Sequence, residues 1–299
     1  MANRPMPILI DTDIGDDIDD ALAIALALNS PEVDLRGVTT VFGDVDTRTR
    51  LALKLLATYG RTDIPVATGR GAPLMGPPPT HAPNQAVVLA EDEALPKPSG
   101  HPADELIRRA ADEAGGRLTI VTIGAMTNMA LALLRDARLA RWARLVVMGG
   151  VVNTQMGEWN IRCDPEAARI CFESGIPITM VGLDVTLKCQ MSEQDVEAIA
   201  ARGTPACALL DAMTGAWSGS ADGTRKRKRP ILHDPLAVAV AFRPELVTME
   251  PRRVAVETRG EFTRAFTVAT KSDQPNAQVC LDVDSGAFVR LFMERILSR

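Results

Sequence analysis

The sequence predicts an α/β protein, one domain over residues 1–299 with a mainly parallel central sheet flanked by helices. Three observations predict it. Apolar runs of four to six residues carry few charges, as strands covered on both faces should. Longer stretches of helical periodicity separate these runs, the order expected of parallel strands joined by helices. The chain has 299 residues, 46% of them hydrophobic, with no internal repeat and no second hydrophobic core, so one core accounts for it.

Residues 8–11 form the first strand, which ends on Asp11. A helix over 17–28 follows, then a strand over 35–41 and a helix over 47–59; Asp and Thr at such helix starts suit N-caps. Strand 64–67 leads into residues 69–100, where Pro77, Pro78 and Pro79 and the lack of any period indicate a long loop, often a lid in compact domains. Helix 102–114, strand 118–123, helix 128–135, strand 144–148, helix 165–173 and strand 176–181 continue the alternation. Residues 217–231 read as a second irregular stretch, followed by an apolar helix signal at 235–241. After Arg252 the pattern is of alternating strands and a closing helix.

Lys and Arg number 33 against 38 Asp and Glu, a net charge of -5, so no whole-surface attraction to nucleic acid or a membrane is expected. The five cysteines, Cys163, Cys171, Cys189, Cys207 and Cys280, contain no C-x-x-C pair and read as core thiols in a reducing compartment. The apolar run before Asp11 is too short for a signal peptide or membrane span, which places the chain in the cytoplasm.

The chemistry is concentrated at residues 11–20, where six of ten positions are aspartate: Asp11, Asp13, Asp16, Asp17, Asp19 and Asp20. Two like charges about 4 Å apart repel by roughly 1 kcal/mol in water and about 4 kcal/mol near a protein surface. A shared cation relieves this most simply, and all-oxygen ligands favour Ca²⁺ or Mg²⁺ over zinc. The spacing is not that of an EF-hand, because Gly15 falls at position five and Leu22 stands where a bidentate Glu belongs. The cluster follows a strand's carboxyl end, where open α/β sheets place ligands. Asp16 and Asp17 read as solvated or capping residues.

With Asp11-Thr12-Asp13-Ile14-Gly15 and Asp19-Asp20-Ala21, the sequence resembles the inosine-uridine-preferring nucleoside hydrolase family. Further blocks match in order: Val41-Phe42-Gly43-Asp44, Ile123-Gly124-Ala125-Met126-Thr127-Asn128, Met148-Gly149-Gly150 with Glu158-Trp159-Asn160 and Asp164-Pro165-Glu166, and His233-Asp234-Pro235. The resemblance implies a Rossmann-like sheet, a bound Ca²⁺, a small-molecule ribonucleoside as substrate and a homodimer or homotetramer. It makes Asp13 the general base and His233 the acid that protonates the leaving base. Asp13, Asp20, Asp234 and the Ile123 carbonyl would hold the metal. Asp19, Glu158 and Asn160 would bind sugar hydroxyls, with Asp44 and Met148 beside the substrate. His81, in the proline-rich loop, would face the nucleobase or ribose. Trp217, read from its own place before His233, either stacks on the base or packs the loop down.

The sequence departs from the family at several places. Two extra residues precede Asp19, so the acidic loop must bulge; Asp44 replaces an asparagine, and Trp159 a phenylalanine. The basic run 225–229 reads as a solvated loop, with an anion at the mouth of the site as the alternative. Two other functions compete. Asp11-Thr12-Asp13 also resembles the first motif of haloacid-dehalogenase-type, Mg²⁺-dependent phosphatases, with Asp11 as nucleophile, and a nucleoside- or ribose-binding protein without turnover is the third reading.

Overall fold

The computed structural model describes residues 4–80, 82–219 and 228–298. In chain order the elements are β1 (Met6–Thr12), α1 (Asp19–Asn29), β2 (Val33–Thr40), α2 (Val45–Thr58), β3 (Val66–Thr68), α3 (Ala103–Glu113), β4 (Leu118–Thr122), α4 (Thr127–Arg135), α5 (Leu139–Trp142), β5 (Ala143–Met148), α6 (Trp159–Cys163) and α7 (Pro165–Glu173). There follow β6 (Ile178–Val181), α8 (Leu183–Thr186), α9 (Glu193–Ala201), α10 (Pro205–Ser218), α11 (His233–Phe242), β7 (Val247–Val256), β8 (Thr267–Thr270), β9 (Ala277–Val283) and α12 (Ser285–Ile296).

Among the described residues nine strands share one sheet in the order β3-β2-β1-β4-β5-β6-β9-β7-β8. The pairs from β3 across to β9 are parallel, and β7 runs antiparallel between β9 and β8. The chain leaves β1 toward β2 and β3, then returns to place β4 on the other side of β1. This reversal opens a crevice at the carboxyl ends of β1 and β4, where such sheets bind ligands.

Strand alternation divides the core between the two faces. Ile8 and Ile10 join the cluster containing Leu22, Leu51, Leu236 and Phe288, while Leu9 joins Ile107, Met129 and Phe172 opposite. Helix α1 is buried along its whole length, Asp19 and Asp20 included, and packs against α11. Both helices are apolar on nearly all sides, as helices enclosed by a large domain are. Their burial brings residues from opposite ends of the sequence to one edge of the sheet.

One expectation is corrected. Residues 217–231 are not irregular from their start, because Trp217 and Ser218 form the last turn of α10, closed by Gly219 in the left-handed conformation. The loop over 69–100 contains a short 3-10 turn at Asn84–Val88, and all five cysteines are buried free thiols. Among the described residues no helix is long and apolar enough to cross a membrane.

Candidate active site

A cavity of about 660 Å³ opens at the carboxyl edge of the sheet. Asp13 reaches it directly after β1, Asp19 and Asp20 from the first turn of α1, and Ile123 and Met148 from the ends of β4 and β5. Glu158 and Asn160 line it from α6, Trp217 from α10, and His233 and Asp234 from α11. Asp44 does not line it. Its carboxylate caps α2, accepting from the Thr47 amide at 3.1 Å and the Thr47 hydroxyl at 2.7 Å, and these bonds hold its pKa below the ordinary value. His81 and residues 225–227 of the basic run lie outside the described residues.

The floor of the cavity is acidic. One oxygen each from Asp19, Asp20 and Asp234 lies within 4.8 Å of the others, and all three side chains are buried. Burial first, and then the charge of neighbouring carboxylates, Asp17 at Asp19, Asp13 at Asp20 and Asp19 at Asp234, push their pKa values well above the carboxylate range. Thr12 donates its hydroxyl to Asp20 Oδ1 at 2.5 Å, and the Asp234 amide donates to Asp19 Oδ2 at 3.2 Å. Asp13 lies outside this triple, yet its charge raises all three members. A buried all-oxygen cluster of this kind fits a hard divalent cation, whose charge would reverse these shifts.

The bulge over residues 13–18 is held from outside, by groups that spacing alone did not single out. Arg48 is 1% exposed, and its Nη1 donates to the carbonyls of Asp13 and, at 3.0 Å, Ile14. Its Nε donates to the Phe42 carbonyl at 2.6 Å, and its Nη2 to Asp16 Oδ2 at 2.8 Å. From the proline-rich loop, Asn84 donates to the Asp16 carbonyl at 2.8 Å and Gln85 to the Asp17 carbonyl at 2.6 Å. Asp13 is pushed up to about 6 by burial, against the opposing charge of Arg48. Gly124 admits Asp13 to this position, since a Cβ there would lie 2.8 Å from Asp13 Oδ1.

The facing wall is built on α6. Glu158 caps that helix, with Oε1 accepting from the Asn160 amide at 2.9 Å and Oε2 from the Gly150 and Ile161 amides at 3.0 and 3.1 Å. Burial nevertheless pushes Glu158 up to about 7. The Asn160 side chain donates to the Ile123 carbonyl at 3.2 Å and the Met148 carbonyl at 3.0 Å. Trp159 is 57% exposed and meets Phe42 edge-on. At the other end, His233 Nδ1 bonds Thr186 Oγ1 at 2.6 Å, and burial pulls the imidazole down to about 4. Lys228 Nζ lies 5.8 Å from the Trp217 ring centre.

The sequence pattern described as inosine-uridine preferring nucleoside hydrolase matches residues 8–290. The chain belongs to that family. The hydrolase is 39% identical to the pyrimidine-specific ribonucleoside hydrolase RihA of Citrobacter koseri, over 97% of this chain and 98% of the relative. Among solved structures it is similar to the plant nucleoside hydrolase PpNRh1, with a TM-score of 0.87, 28% identity and coverage of 99% and 100% of the two chains. It is also similar to the purine-preferring ribonucleoside hydrolase from Gardnerella vaginalis, with a TM-score of 0.85, 31% identity and 98% of each chain covered.

Several motif residues of the hydrolase lie beneath the cavity and not in it. Asp11 is fully buried, and its Oδ1 accepts from Thr39 Oγ1 at 2.5 Å and Asn128 Nδ2 at 2.8 Å. Asp164 caps α7 while accepting from Thr127 Oγ1 at 2.7 Å and the Leu74 amide at 2.8 Å. These bonds fasten the carboxyl ends of β1 and β2, and the loop after β3, to the starts of α4 and α7. They also set aside the phosphatase reading, because its nucleophile would be Asp11, which has no route to a substrate.

Proposed function

We propose that this chain hydrolyses the N-glycosidic bond of ribonucleosides with the help of a calcium ion held on its acidic floor. The observation that carries the reading is the convergence of Asp19, Asp20 and Asp234 in one cavity with Asp13 and His233. Asp20 and Asp234, with Asp13 and the Ile123 carbonyl, would hold the ion. When bound, calcium supplies a Lewis-acidic centre that acidifies water and anchors vicinal hydroxyls.

Asp13, which lines the cavity beside the acidic floor, accepts a proton from the attacking water. Asp19 receives a ribose hydroxyl on the metal side. Glu158 and Asn160 position the sugar from the opposite wall, limiting the orientations from which water reaches C1′. The negative floor stabilises the oxocarbenium character that develops as the bond opens. His233 protonates the departing base nitrogen from Nε2, since Nδ1 faces Thr186. Burial makes the imidazolium a stronger acid.

The test is ribose release from inosine, adenosine, guanosine, uridine and cytidine, each with Ca²⁺ and with the metal chelated. Ca²⁺-dependent release establishes the reaction and ranks the bases, a panel suited to relatives named for pyrimidines and for purines. Binding of nucleoside with no free base formed overturns it in favour of a binding protein. The reading extends to a cytoplasmic homodimer or homotetramer, whose subunit number sedimentation equilibrium measures.

A further inference from the structure

We infer that Asp17 is a specificity-determining residue that favours leaving bases with an amino group over those with a carbonyl oxygen at the same ring position. The inference rests on the hydrolase reading above, in which His233 meets the departing base. A second cavity of about 370 Å³ adjoins the first, and three residues line both: Asp17, Trp217 and His233. A base received by His233 therefore enters the space that Asp17 and Trp217 also bound.

Asp17 belongs to the lengthened stretch between Gly15 and Asp19, and it stands apart from the triple of Asp19, Asp20 and Asp234. Its neighbour Asp16 is committed elsewhere, giving Oδ2 to Arg48 at 2.8 Å. The Asp17 carboxylate is held in place. Its Oδ1 accepts from the Ile18 amide at 2.7 Å, and its carbonyl accepts from Gln85 Nε2 at 2.6 Å. Gln85 is fully buried, and its own amide donates to the Gly15 carbonyl at 2.9 Å. A Cβ on Gly15 would lie 2.6 Å from Pro83 Cβ, so the bare glycine lets the proline-rich loop close on this stretch.

An ionised carboxylate accepts hydrogen bonds and donates none. Cytosine and adenine present an amino donor where uracil and hypoxanthine present oxygen lone pairs, so the first two fit Asp17 and the others meet it with like charge. The oxo bases keep a ring N–H beside that oxygen, yet a carboxylate bonded there still lies against the lone pairs. A cation could serve the oxygen instead. Lys228, over the Trp217 ring, lines the outer cavity and not the one that holds the acidic floor. Discrimination of this kind is large, because the wrong base leaves polar groups unpaired.

The test compares kcat/KM for cytidine with uridine, and for adenosine with inosine, in the parent chain, Asp17→Asn and Asp16→Asn. It is read on the pair that the parent hydrolyses faster. The amino-to-oxo ratio should fall by about tenfold or more in Asp17→Asn, whose amide can also donate, and stay near the parent's in Asp16→Asn, which removes a charge next door. Inhibition of the parent by the two free bases is a second readout, independent of leaving-group ability and of any variant's folding. The amino base should inhibit more strongly than its oxo counterpart. An unchanged ratio in Asp17→Asn, an equal fall in Asp16→Asn, or an oxo base that inhibits as well as the amino base overturns the inference while leaving the hydrolase reading intact. Absence of turnover of every nucleoside overturns both.

Discussion

Arg48 and Asp13 are joined across 35 residues of sequence by a bond from the Arg48 guanidinium to the Asp13 main-chain carbonyl. The same guanidinium spans Ile14, Asp16 and Phe42, so one buried side chain fixes the part of the acidic loop that is longer than the family's pattern.

Replacing Arg48 with Met should therefore strand three buried carbonyls. A loss of about 3 kcal/mol or more in denaturant unfolding is expected, at about 1–3 kcal/mol for each buried acceptor left unpaired. Calcium affinity, read by titration calorimetry, should fall at least tenfold. A stable variant with unchanged affinity would show that the loop holds itself.

Asp234→Asn should have opposite effects with and without metal. In chelator it removes a buried carboxyl that the charges of Asp19 and Asp20 disfavour in its ionised form, and should raise Tm. In the parent, Ca²⁺ at about 100 times its Kd should add about 2.7 kcal/mol of stability, and the variant should lose most of that gain. A lower Tm in chelator would contradict the repulsion.

Stability in chelator should also depend on pH through Asp11. Burial pushes this acid from 3.8 up to about 7, so between those values the folded state binds more protons than the unfolded one. The stabilising contribution is full below pH 4 and lost as pH rises through 7. Asp11→Asn keeps an acceptor for Thr39 and Asn128 and should flatten the slope over that window, as thermal unfolding across pH would record.

His233→Ala should lower kcat for nucleosides with poor leaving groups by about 10²- to 10⁴-fold, while a p-nitrophenyl riboside, which leaves unaided, should be spared. Thr186→Val removes the partner of Nδ1 and should give a smaller loss with the same selectivity. Equal damage to both substrates would exclude an acid role for His233.

Asp13→Asn should abolish most turnover, by about 10²-fold or more, with Tm in chelator preserved or raised. Activity near the parent's would remove Asp13 from the base role.

Much of the architecture was legible because buried parallel strands need uninterrupted apolar runs, as at β1, β4 and β5. Helix α10 was harder to see. Its apolar residues mix with Gly215, Thr214 and Asp211, and packing against α2 and the turn at Asn84–Val88 supplies what periodicity does not. Arg48 gave no signal, since an arginine early in a helix ordinarily faces water, and its burial is decided by a loop distant in sequence. Asp44 misled for a related reason, as its acid is consumed by the helix it caps.

By itself the sequence determined that strands alternate with helices, that a dense acidic loop follows the first strand, and that His233 adjoins Asp234. Tertiary structure alone decided which aspartates meet. Asp19 touches Asp234 across 215 residues, Asp16 turns to Arg48, and Asp11 sinks beneath the floor. A carboxylate's role depends on its burial and its partners, and at this site many partners come from elements far away in the chain.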